Sequence, residues 1–195
     1  MDLSPGQAAE SLKEIERTQR RSAEAHEYVH ASPGFILWGL IWMVGYTGSY
    51  MLPNYGFING ISWLWFVLVV AGVFANATLD RRRYRGQSPE RVAAGKAIGR
   101  RIGMTFLALY AFIFATFSVM RPVNPVVSAA FIPLLVAVIY AIYGIWRGLR
   151  FLIIGIVVAA LTMGGWFYLP QHFLLWMAVV GGGSLILVGI WLRKV

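Results

Sequence analysis

Six long apolar runs, none holding an Asp, Glu, Lys or Arg, fill most of the sequence from residue 35 to residue 192. They are Phe35–Leu52, Ile61–Leu79, Ile102–Met120, Val126–Trp146, Phe151–Leu169 and Phe173–Leu192. A bilayer core is crossed by about 20 helical residues, and each run is that long or nearly so. With no water to satisfy exposed backbone groups, such runs become helices. Short breaks carrying Pro53, Pro122, Pro125 and Pro170 separate three of the neighbouring pairs and predict tight turns between antiparallel helices. The expected fold class is therefore all-α: a polytopic membrane protein with six transmembrane helices arranged as three antiparallel hairpins. Composition agrees, at 58% hydrophobic and only 13% charged residues, where soluble domains carry about a quarter charged.

Charge placement predicts orientation. Of the 17 Lys and Arg, sixteen fall on one side of the six runs, and only Arg121 falls on the other. The positive-inside rule then makes both termini cytoplasmic and locates the protein in a plasma membrane, the inner membrane of a bacterium. About thirty polar residues precede the first apolar run, which is not a signal-peptide pattern. There is no cysteine, so disulfides, thiolate metal sites and cysteine nucleophiles are excluded.

Residues 1–34 read as a cytoplasmic helix ahead of a transmembrane domain at 35–195. Ser4, Pro5 and Gln7 form a capping-box pattern, and Ser32-Pro33-Gly34 predicts its end. Ala8, Leu12, Ile15, Gln19, Ser22, His26 and Val29 recur at a 4-3 spacing and give the helix one weakly apolar face. That amphipathic face suits the membrane surface, a partner helix or a second copy of the chain. The basic loop 80–101 includes Arg81, Arg82, Arg83 and Arg85, candidates for contact with anionic lipid headgroups. Ser88-Pro89-Glu90 starts a second helical segment that runs into the third span. Nucleic acid is not the expected partner, because the basic residues sit where membrane topology requires them.

Two patterns carry candidate chemistry. His26-Glu27-Tyr28-Val29-His30 fits H-E-x-x-H, in which two His on one helical face hold zinc and the Glu deprotonates the metal-bound water. Catalytic zinc needs a third ligand; His172 is predicted on the far side, which leaves Asp80 or Glu90. The second pattern is the row Trp38, Trp42, Tyr46 and Tyr50 at i,i+4 along the first span. It reads either as the wall of a ligand pocket or as a packed or lipid-facing surface. Inside the spans only uncharged polar groups remain, among them Ser49, Asn76 and Thr162. That counts against proton pumps and voltage sensors. Gly164-Gly165 and Gly181-Gly182-Gly183 mark expected bends or close approaches, and Pro133 an expected kink.

The combination of "ERTQRR" (Glu16–Arg21) with "ASPGFILWGLIW" (Ala31–Trp42) resembles small six-helix bacterial inner-membrane proteins that carry no assigned activity. The resemblance implies a bacterial membrane protein and no functional residue. In size and helix number the chain is also similar to the substrate-binding subunits of vitamin-uptake transporters, although its first span lacks the Ala-x-x-x-Ala surface of those subunits. Three function classes follow: a membrane interaction, regulatory or scaffold module acting by binding; a small-solute or hydrophobic-ligand transporter or substrate-binding subunit; and a zinc metalloprotease through His26, Glu27 and His30.

Overall fold

The computed structural model describes the backbone of residues 5–83, 89–121 and 124–194, without the side chains of 5–9, 20–21, 23–24, 26, 80–83, 89–99, 102, 106 and 125. Every described element is helical: α1 (Pro5–Met51), α2 (Gly60–Arg83), α3 (Pro89–Met120), α4 (Pro125–Arg147), α5 (Leu149–Tyr168), α6 (Phe173–Trp176) and α7 (Gly183–Leu192). Short 3-10 turns at Leu52–Tyr55 and Pro170–His172 close two loops, and a π-helical segment, Met177–Gly182, joins α6 to α7. Six helical stretches are long and apolar enough to cross a membrane: Glu27–Tyr55, Gly60–Leu79, Gly103–Met120, Val126–Arg147, Leu149–Tyr168 and Pro170–Leu192.

The predicted break at Ser32-Pro33-Gly34 does not occur. α1 is a single helix with Pro33 inside it. A proline within a helix removes one backbone hydrogen bond and costs about 3 kcal/mol. Here both flanks of the proline are held by other helices. Tyr28, Ser32 and Phe35 are all buried, and Ser32 Oγ donates to the Gly189 carbonyl at 2.6 Å. Tertiary contact therefore overrides the local preference. Within the basic segment 80–101, α2 runs on to Arg83, and α3 begins at Pro89, where Ser88-Pro89-Glu90 predicts a helical start. Ser4, the expected N-cap, lies outside the described residues.

Lipid tails are as apolar as leucine, so helices in a membrane associate by close packing rather than by hiding hydrophobic surface. The glycines show where that happens. α1 and α7 run antiparallel in backbone contact: a Cβ on Gly39 would lie 2.7 Å from the Gly182 carbonyl, and one on Gly189 2.9 Å from the Ser32 carbonyl. α4 and α5 meet the same way, with Gly155 against Ala137 and Ala141. α2 runs antiparallel to α1, exchanging Gly72 for Ile41 and Trp38 on one side and Gly45 for the Trp65 ring on the other. The core thus lies among α1, α4, α5 and the last span, centred on Trp42, Tyr46, Ala137, Ile154, Phe173 and Met177. α3 contributes no described buried residue, and one described tie to the rest is the Phe117–Phe131 ring pair, with α4, at 5.5 Å.

Candidate functional site

Three chain segments converge at the end of the bundle where α1 enters it. On α1 the five residues of the H-E-x-x-H pattern lie within uninterrupted helix, so the i,i+4 spacing does put positions 26 and 30 on one side. Glu27, however, faces the start of the α4–α5 turn. Its Oε1 pairs with Arg147 at 3.0 Å, with both side chains partly exposed. Tyr28 turns inward and is buried, its ring 5.3 Å from that of Phe151. Its hydroxyl occupies the place a Cβ on Gly148 would need.

Gly148 makes the whole junction possible. It separates α4 from α5, and its φ of 146° lies where side chains are strongly disfavoured. The turn is therefore one residue wide, and the chain reverses directly over Tyr28. From the third side, α7 brings Trp191 and Arg193. Arg193 Nε donates to Ser32 Oγ at 2.9 Å, and that hydroxyl in turn donates a hydrogen bond to the Gly189 carbonyl. Arg150 lies over two rings at once, 5.2 Å from the centroid of Tyr28 and 4.6 Å from that of Trp191.

As a zinc site this arrangement is incomplete in its described part. No group of three His, Cys, Asp or Glu side chains able to hold a metal occurs among the described residues. His30 is exposed, whereas the side chains of His26, Asp80 and Glu90 lie outside the description. His172 sits in the 3-10 turn at the opposite end of the last span. The side chain that would act as general base, Glu27, is paired with Arg147 instead.

The aromatic row of α1 is split by depth. Trp42 and Tyr46 are buried in the protein core, and Trp38 and Tyr50 are half-buried. Tyr46 bridges three helices: its ring sits edge-on to Trp42 on its own helix and to Trp65 of α2, and its hydroxyl donates to the Ala129 carbonyl of α4 at 2.9 Å. Trp65 in turn donates from Nε1 to Ser49 Oγ at 2.9 Å. Beside the row, Met43, Val44, Thr47, Gly48 and Met51 line a shallow apolar groove on the outer surface. Arg81, Arg82 and Arg83 form the last turn of α2, without described side chains, and Arg85 lies outside the described residues.

Sequence reasoning singled out Glu27 but missed its partner and missed Arg150, Gly148, Ser32 and Arg193. One signal was available. Arg147-Gly-Leu-Arg150 is a break of only four residues with one glycine and no proline, so the reversal there falls to that glycine. No known family, curated protein or solved structure matches this chain.

Proposed function

We propose that the protein is an interaction module of the bacterial inner membrane, built as three hairpins with both termini in the cytoplasm, and that it acts by binding through the cytoplasmic part of α1. The continuity of α1 carries this reading. Residues 10–19 are exposed along their whole described length, while the same helix, from Tyr28 onward, is built into the core. Leu12 and Ile15 are 60% and 54% exposed and share a face with Gln19 and Ser22 at heptad-like spacing. An amphipathic helix of that kind takes a second helix, from another copy or from a partner protein.

The test is the mass of the full-length protein in lipid nanodiscs, compared with an L12E/I15E variant. The wild type is expected to carry a second chain and the variant to lose it, with unchanged helicity. A wild type that is monomeric and carries nothing would remove the basis for the proposal. Transport and proteolysis rank behind it. The rings offered as a pocket wall at Trp42 and Tyr46 are buried in the core, Tyr46 against Trp65 of α2, and Glu27 is engaged by Arg147.

A further inference from the structure

Arg150 lies between two rings and has no hydrogen bond or ion pair among the described residues. Rings from two different helices, Tyr28 on α1 and Trp191 on α7, hold its guanidinium. Arg147 has Glu27 and Arg193 has Ser32, but Arg150 has neither a carboxylate nor a hydrogen-bond acceptor among the described residues. A half-buried guanidinium at the edge of an apolar bundle, with five N–H donors in a planar fork, is suited to a phosphate, which it binds bidentately. Arg147 lies across the one-residue turn from it, and Arg193 follows two residues after the ring it covers. The Glu27 carboxylate offsets Arg147, and a net positive charge remains at this end of the bundle.

The surroundings specify more than an anion. Trp146 is 81% exposed and Leu149 67%, and Ile153 on α5 and Ile190 on α7, each within three residues of Arg150 or Trp191, are exposed as well. A free phosphate would leave those side chains untouched. An anionic lipid would cover them with its acyl chains while its headgroup met the arginines, as basic pockets between transmembrane helices do. Exposed Trp146 and Trp191 at this level fit the aromatic belt of a membrane–water boundary. We propose that Arg150, flanked by Arg147 and Arg193, forms a headgroup site for an anionic glycerophospholipid. The site is built from other arginines than Arg81, Arg82, Arg83 and Arg85, and it does not depend on what α1 binds.

The experiment is native mass spectrometry of the full-length protein from mild detergent, titrated with dioleoyl phosphatidylglycerol or dioleoyl phosphatidylcholine. The wild type is expected to retain the anionic lipid preferentially. R150Q should reduce that preference about fivefold, the share one arginine contributes near a charged surface. R121Q, at the other end of the bundle, should leave it unchanged. If R150Q does not yield folded protein, R150K answers the same question, since it keeps the charge and loses the planar fork; a partial loss is then expected. Equal retention of the two lipids by the wild type, or an undiminished preference in the folded Arg150 variant, overturns the proposal. Displacement of the bound lipid by millimolar inorganic phosphate, with phosphate adducts in its place, overturns it in favour of a free-anion site.

Discussion

At Gly148 the φ of 146° and the Tyr28 hydroxyl beneath the missing Cβ act together. Gly148→Ala is expected to destabilise the protein by about 1–3 kcal/mol from backbone strain alone, with the collision adding to it. Tyr28→Phe in that background should recover only the part due to the collision, and thermal unfolding in detergent separates the two. Glu27 makes a contrasting prediction. Its pair with Arg147 is partly solvated on both sides, and such pairs contribute about 0–1 kcal/mol. Glu27→Gln should therefore lower thermal stability only slightly, whereas a metalloprotease would lose all cleavage activity with this change. Sequence alone could not rank these two residues. Glu27 belongs to a pattern with a known chemistry, while Gly148 is one glycine among 21, and only the fold shows what stands over it.

At the level of elements, the spans were legible because charge-free apolar runs of that length have one stable form in a membrane. α4 is observed at Pro125–Arg147 against an expected Val126–Trp146, and the last span ends at Leu192 as expected. What could not be read was which helices touch. That depends on which side of each run carries its small residues, and a run apolar all round gives little sign of it. Gly164 and Gly165 illustrate the gap. In the sequence they are one pair, yet a Cβ on Gly164 meets nothing within 4 Å, while one on Gly165 would enter the ring of Trp176, whose Nε1 donates to Leu161. Gly164→Ala should be neutral or stabilising by up to about 1 kcal/mol through helix propensity. Gly165→Ala should destabilise by about 1–3 kcal/mol through overpacking. Unfolding midpoints of the two single variants measure the difference. The run through Pro33 was misread for the related reason that a local rule was applied where Ser32, buried against α7, had already decided the path.

For the whole molecule, the bundle and the exposed part of α1 have different dependences. Deleting residues 1–24 removes no described contact to the bundle and keeps Glu27 and Tyr28, so the unfolding midpoint should stay within about 2 °C, less than a change of 1 kcal/mol would produce in a chain of this size. The absence of native cysteine makes the proposed orientation directly measurable. Single cysteines at Ser22 and Lys194 should react with an impermeant maleimide from the same side of sealed vesicles, and one at Arg121 from the other. Reaction of Ser22Cys and Lys194Cys from opposite sides would require an odd number of crossings and would contradict the six-span topology. Finally, α1 continues as one helix from its exposed segment into the bundle. Its 47 residues make a rod about 70 Å long, of which about 33 Å precedes Glu27. Such a rod works as a lever with its fulcrum at the Arg147–Gly148 turn: each 10° of tilt within the bundle swings the far tip by about 6 Å. Whatever holds that tip is mechanically coupled to the packing around Gly39 and Gly182, inside the bundle.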